Sequence, residues 1–366
     1  MLSFTRGAVL RIFGALFRSG YAMHSSEETP RTMKAVRQRA FGGPEVLHYE
    51  DAPTPVLQPG EVLIRVHAVG LNPPDLYLRE GYSRLPPEWR PPVTFPLILG
   101  TDVSGVIASV AEDVDGFSPG DAVYAMVRFP SGLAGGSQAY AQYVAAPASE
   151  VALKPAEIDH VHAAGAPMSL LTAWQFLIAQ GHDVANPLQP MPHAPVPLQG
   201  KTVVVNGAAG GVGHFALQLA RWQGARVIAV ASGKHEAFVR GLGAETFIDY
   251  TKTAPEDVLH DVDLVVDAVG GAGAGKFLPT LKRGGALFPI FPLGFDGHDA
   301  AAALGVTVST TQVRSSGAQL GELAALLDAS TVRVAIDSTF ALSQARQAHE
   351  RAERGHVQGK IVMMVE

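Results

Sequence analysis

Thr202-Val203-Val204-Val205-Asn206-Gly207-Ala208-Ala209-Gly210-Gly211-Val212-Gly213 decides the fold of this 366-residue chain. Four β-branched residues in a row predict a short strand. A run of small residues follows at once, and Val212, Phe215, Ala216 and Leu219 then recur at helical spacing. Strand, tight glycine turn and helix N-terminus in that order grip a dinucleotide pyrophosphate, because glycines admit backbone close to the phosphates and the helix offers unpaired N–H groups to the anion. Ala208-x-Gly210-x-x-Gly213 stands where the three-glycine fingerprint usually stands.

Strands and helices alternate from there. Val203–Asn206, Val227–Ala231, Thr246–Asp249, Leu264–Ala268, Ala286–Phe291 and Val306–Ser309 read as strands, which predicts a doubly wound, six-stranded parallel Rossmann sheet of α/β class. The second strand would end in Ser232-Gly233-Lys234-His235. An acid at that place holds the adenosine ribose hydroxyls and selects NAD. A hydroxyl and a cation without a carboxylate suit a ribose 2′-phosphate, so the expected cofactor is NADPH.

Upstream, the pattern is one of short strands and Gly/Pro turns. Lys34–Arg39, Glu61–Val69, Leu99–Ile107 and Ala139–Val144 read as strands and Phe117–Tyr124 as a turn into a strand, and Asn72-Pro73-Pro74-Asp75 breaks the second strand. A β-barrel-like domain is expected here. Ala163–Ala179 reads as a helix, and residues 183–200 as a proline-rich connection. Beyond it, Gln319–Ala329 and Ser343–Arg354 read as helices and Val332–Phe340 and Gly359–Val365 as strands of a tail that returns to the first domain.

Composition narrows the chemistry. The formal net charge of -6 gives no basic face for nucleic acid, and 47% hydrophobic with 17% charged residues suits a globular enzyme. No apolar run is long enough to span a bilayer, so no membrane partner is expected. With no cysteine there is no disulfide, thiolate zinc site or cysteine nucleophile. The 13 histidines include no His-x-x-x-His or His-Glu-x-x-His spacing. Residues 1–32 carry Arg6, Arg11 and Arg18, no acid before Glu27, and an apolar helical face of Leu10, Phe13, Leu16 and Phe17. They read either as a targeting or surface-anchoring segment or as an upstream start before Met33, where a natural first strand begins. The chain is expected in the cytoplasm on the second reading and in an organelle on the first.

From Met33 onward the chain resembles the zinc-independent quinone oxidoreductases of the medium-chain dehydrogenase/reductase superfamily. The motifs that carry the likeness, in order, begin with Gly70-Leu71-Asn72-Pro73-Pro74-Asp75-Leu76-Tyr77-Leu78-Arg79-Glu80-Gly81 and Leu99-Gly100-Thr101-Asp102-Val103-Ser104-Gly105. They continue through Leu171-Thr172-Ala173-Trp174, the glycine turn, Leu242-Gly243-Ala244, Asp267-Ala268-Val269-Gly270-Gly271 and Gly359-Lys360-Ile361-Val362. Zinc alcohol dehydrogenases of the superfamily carry a cysteine ligand where this chain has Asn72, and a histidine where it has Thr101. No metal is therefore expected, and positioning and hydrogen bonds must do the work.

The resemblance implies a GroES-like, β-rich catalytic domain over 33–169 and 315–366 and an NADP-binding Rossmann domain over 170–314. It implies that Ala209, Gly210, Gly211, Val212 and Gly213 contact the pyrophosphate and that Thr172 lies near the phosphates and nicotinamide ribose. Ser232, Lys234 and Tyr250 would surround the 2′-phosphate, although Glu236 stands where relatives often carry a base. Val269 and Gly270 would flank the nicotinamide, and Lys360 would reach the cofactor from the tail. Asn72 and Tyr77 would line the catalytic floor, Tyr77 as proton donor or as aromatic wall, with Tyr82 an alternative donor. Asp75 reads as a helix cap and Asp121 as a turn residue. The implied reaction is hydride transfer from NADPH to a quinone or an α,β-unsaturated carbonyl, by a protein that is often a homodimer. A 2-enoyl thioester reductase and an NADPH-binding structural or regulatory protein remain the alternatives.

Overall fold

The computed structural model describes residues 29–133, 138–186, 189 and 192–366; residues 1–28, on which the targeting-segment reading mostly falls, lie outside them. The chain opens with β1 (Thr32–Gln38), β2 (His48–Pro53), β3 (Glu61–Leu71) and α1 (Pro73–Arg79). It continues through β4 (Leu97–Ile98), β5 (Asp102–Val110), β6 (Ala122–Met126), β7 (Tyr143–Pro147) and β8 (Val151–Leu153). Two helices follow, α2 (His160–Ala164) and α3 (Pro167–Leu177). Then come β9 (Thr202–Asn206), α4 (Gly211–Trp222), β10 (Arg226–Ala231), α5 (Glu236–Gly241), β11 (Thr246–Asp249) and α6 (Pro255–Val258). After β12 (Val262–Asp267), β13 (Leu281–Pro289), α7 (His298–Leu304) and β14 (Thr307–Val308), the tail is α8 (Gly317–Asp328), β15 (Ile336–Ala341), α9 (Ala345–Glu353) and β16 (Lys360–Met364).

The parallel sheet has six strands in the order β11-β10-β9-β12-β13-β14. Val203, Val204 and Val205 of β9 have no exposed surface, which is why this strand reads as a continuous apolar run rather than an alternation. Strand order reverses beside β9, so β10 and β12 flank it and their carboxyl ends open a crevice there. The other large sheet is mostly antiparallel, ordered β15-β16-β3-β5-β6-β8 with β7 also on β3. Strands β15 and β16 are the tail, and Val362 pairs with Gly70 some 290 residues earlier in the chain. A small sheet, β2-β1-β4, completes the first half.

Helix α3 joins the two halves. All of its residues are buried, and its Leu170, Leu171 and Phe176 share one core with Tyr124 and Met126 of β6, Val203 of β9, and Phe215 and Leu219 of α4. A helix wrapped on all sides has no polar face to show, hence its nearly unbroken apolar sequence. The one long helix expected over 163–179 is two, separated at Gly165 and restarted by Pro167 at the first helical position. The strand expected over 99–107 begins only at Asp102, because Gly100 turns with φ +92° and gives its N–H to Asp75. The expected strand over 139–144 lies later, at Tyr143–Pro147, with Ala141 making a single bridge to Ala35. Strand β2 has no counterpart in the sequence reading.

Phe215 of α4 has no exposed surface and packs in the shared core. Phe215→Ala should destabilise the protein by about 3–5 kcal/mol, measured as a lower urea midpoint.

Candidate active site

Strand β9 ends at Asn206, and Gly207 turns the chain with φ +73°. A Cβ on Gly213 would lie 2.1 Å from the Gly207 carbonyl oxygen, so only glycine lets α4 start this close to the turn. Gly211, Val212 and Gly213 form the first turn of a 12-residue helix, and their N–H groups have no acceptor within it. The turn is clamped from the tail: Gly359 donates its N–H to Ala209 O at 2.8 Å. At the neighbouring strand end Asn206 donates to Asp267 Oδ1 at 2.8 Å. The same oxygen accepts from Val269 N and Gly270 N and so shapes the turn that leaves β12. Val269 projects from that turn, 63% exposed.

A pocket of about 490 Å³ lies at the end of β10. Ser232, Lys234 and Tyr250 meet there as expected, joined by Lys252 and His356, which the sequence reading did not select. Ser232 Oγ is buried and has no partner within the protein. Asp249 also borders the pocket, but its carboxylate is already engaged by Thr251 and Lys252. The Thr251 hydroxyl bond, before the others, holds its pKa below the usual carboxylate value. Glu236 is turned to Arg240, 2.9 Å away, and does not border the pocket. Lys252 could have been flagged two places beyond Tyr250, as a cation at the end of the next parallel strand.

Across the crevice, Asn72 has no exposed surface. Its Nδ2 donates to Asp102 Oδ2 at 2.9 Å and, at 3.4 Å, to Thr101 Oγ1. Its Oδ1 accepts from the Lys360 ammonium, which also donates to Leu71 O at 3.0 Å and Ser169 Oγ at 3.2 Å. Lys360 is thus buried with all three N–H groups engaged, and burial lowers its pKa. Thr172, one turn along α3 from Ser169, gives its hydroxyl proton to Met168 O. Burial pushes Asp102 up to about 6, against the pull of Lys360 and of the Asn72 bond.

Asp75 holds this arrangement from behind. It accepts from Asn72 N at 2.8 Å, Gly100 N at 3.1 Å and Tyr140 Oη at 3.2 Å, and burial pushes it up to about 7. Arginine can only donate, so the 3.1 Å contact between Arg79 Nη1 and His349 Nδ1 leaves the His349 proton on Nε2, facing Tyr140 Oη. Burial keeps His349 neutral, with a pKa of about 3. Tyr140 and His349 were not selected from sequence.

Tyr77 is half-buried, with its ring 5.9 Å from that of Phe291 and the Arg84 guanidinium 5.7 Å from its centroid. Gly270 permits this wall, since a Cβ there would meet Phe291 O at 2.3 Å. Tyr82 is buried in the core, its hydroxyl without a partner, on a backbone with φ +53°. The apolar stretch after β13 divides: Phe291 faces Tyr77, while Leu293 and Phe295 line a separate cavity of about 860 Å³ beside Trp89 and β14.

Residues 58–156 match the alcohol dehydrogenase GroES-like domain, and residues 242–363 match the zinc-binding dehydrogenase family. The chain is 34% identical over 360 residues to mouse NAD(P)H oxidoreductase RTN4IP1, mitochondrial, a match that spans 89% of this chain and 87% of that protein. It is 31% identical over 345 residues to the NADPH-dependent alkenal/one oxidoreductase, chloroplastic, of Arabidopsis thaliana, spanning 91% and 80%. The solved quinone oxidoreductase of Coxiella burnetii superposes with a TM-score of 0.78 at 32% identity, over 92% of this chain and 100% of that one. A GroES-like sheet beside a Rossmann sheet, with these likenesses, defines an oxidoreductase. The chain belongs to the quinone oxidoreductase-like family of the medium-chain dehydrogenase/reductase superfamily.

One family description names zinc, and the donor set can be tested for it. Asn72 offers an amide already shared between an ammonium and a carboxylate, Thr101 offers a hydroxyl, and the chain has no thiolate. Among the described residues no group of three His, Cys, Asp or Glu side chains is placed to hold a metal ion. These residues do not fit zinc.

The raised carboxyl at Asp75 has a consequence for stability. Between the ordinary value of 3.8 and about 7 the folded state holds a proton there that the unfolded chain has lost, so stability falls as pH rises through this window and levels off above it. Asp75→Asn removes that slope. The urea-unfolding stability of wild type minus variant should shrink by on the order of 2 kcal/mol between about pH 5 and about pH 8.

Proposed function

We propose that this chain is an NADPH-dependent reductase that delivers hydride to a quinone or an α,β-unsaturated carbonyl without zinc. The observation that carries the cofactor choice is the pocket at the end of β10, where Lys234 and Lys252 meet the unpartnered Ser232 hydroxyl. A phosphate monoester would satisfy that hydroxyl and give Lys234, and Lys252 beside its Asp249 partner, an anion to bind, which a bare ribose would not supply. The name of the Arabidopsis relative supports the same choice.

On this reading the first-turn N–H groups of Gly211, Val212 and Gly213, with Ala209 and Gly210 in the turn, bind the pyrophosphate. Ser232, Lys234 and Tyr250 bind the 2′-phosphate together with Lys252. Thr172, Val269 and Gly270 enclose the nicotinamide end, where the exposed Val269 supplies an apolar surface that excludes water. The bound cofactor supplies a hydride. Tyr77 and Phe291 form an aromatic wall that suits a flat acceptor, and on this reading the Tyr77 hydroxyl, kept protonated by a pKa raised through burial, donates as charge develops on the acceptor oxygen. Asn72, whose amide is engaged on both sides, acts by fixing Lys360 and the α1 loop rather than by touching the acceptor.

The same reading joins two copies through β14, the edge strand of the six-stranded sheet. No helix among the described residues is long and apolar enough to cross a membrane. The mitochondrial and chloroplastic names of relatives support the organellar alternative for residues 1–32.

Lys234→Ala and Lys252→Ala should each raise KM for NADPH by about tenfold or more and leave NADH use nearly unchanged, since each removes a charge-assisted phosphate contact. Equal effects on both cofactors in steady-state assays would count against the pocket. Dialysis against a zinc chelator should leave quinone and enone turnover intact.

A further inference from the structure

Lys360 is a cation built into the protein at the floor of the crevice. Its ammonium touches only neutral oxygens, those of Leu71, Asn72 and Ser169. Its stem passes the start of α4, with Cδ 3.4 Å from where a Cβ on Gly211 would sit. Ser169 is one helical turn from Thr172 on α3. The charge therefore sits between the phosphate-gripping turn and the nicotinamide end of the proposed cofactor site, in a dry region where charge acts over several ångströms. Asp102 and then Asp75 are the counter-charges acting on it, Asp102 one bond away through the Asn72 amide.

Resting on the cofactor reading above, we propose that Lys360 is a charge-setting residue that makes the site discriminate between the two redox forms of the cofactor. NADPH and NADP⁺ carry the same phosphates, so attraction to those groups cancels between them. They differ by one positive charge on the nicotinamide ring, which a fixed ammonium nearby repels. The site then holds the reduced form and releases the oxidised one. Its three neutral acceptors fix the ammonium in place without neutralising it.

Equilibrium binding of NADPH and of NADP⁺ to the full-length protein, by calorimetry, tests this without turnover. Wild type should prefer NADPH by about tenfold or more. Lys360→Gln, which keeps an N–H donor for Asn72 but no charge, should bring the two dissociation constants within about threefold of each other, chiefly by tightening NADP⁺. Lys360→Arg should restore the preference. Asp102→Asn, which removes the nearest counter-charge, should enlarge it and gives a second route should the Gln variant fail to fold. A ratio unmoved in Lys360→Gln, an equal loss of both forms, or a smaller preference in Asp102→Asn would each overturn the proposal. Wild type that binds neither form would instead overturn the cofactor reading beneath it.

Discussion

The amide of Asn72 is shared between a buried ammonium and a buried carboxylate, and that bond pair ties the antiparallel sheet to helix α3, which joins the two halves. Through Lys360 it reaches β16 and α3; through Asp102 it reaches β5 and the backbone of Met168. Removing any one partner would leave a charge or a polar group buried without compensation, which is more costly than the bonds are stabilising. The crevice floor is consequently rigid. Asp75, Tyr140 and His349 extend the same network away from the crevice, each with its proton position set by the next. The Arg79 guanidinium ends it against the carboxylates of Glu80 and Glu353.

On the proposed reading, the two ends of the crevice would hold the cofactor by different forces. At the turn after β9, grip comes from backbone N–H groups and from glycines that keep side chains out of the way. Grip at the end of β10 comes from long cations on an open surface, Lys252 being 79% exposed. Contacts of the first kind depend on backbone geometry; those of the second rest on exposed charges that salt screens strongly. On the proposed cofactor reading, selection between nicotinamide cofactors would reside in the weaker, more adjustable set.

Much of the parallel sheet was legible, because its strands are buried on both faces and announce themselves as β-branched runs ending in small residues. Strand β2 was not: His48-Tyr49-Glu50-Asp51-Ala52-Pro53 is mostly exposed on one edge of a small sheet and has no apolar pattern to betray it. Leu99-Gly100-Thr101 looks like a strand start, yet the Asp75 carboxylate draws the Gly100 N–H out of the ladder, a pull from a distant side chain that no local pattern encodes. Asn72 and Lys360 were both marked for the site from motifs, but their direct bond was not foreseeable across 288 positions. Tyr140 and His349 lie 209 positions apart and belong to no motif, so only the folded chain brings them together. Helix α3 illustrates a related limit, since its apolar sequence declares burial without saying that two sheets cover it.

The strand that carries Lys360 is the last in the chain, and it slots beside β3, made near the beginning. During synthesis the ribosome would release the glycine turn and the cation pocket long before the residue that completes the crevice floor. Until the final segment emerges, β3 lacks one neighbour and Asn72 lacks the partner of its carbonyl. Assembly of the crevice floor therefore waits on β16, and a chain lacking that strand would leave Asn72 without its cation.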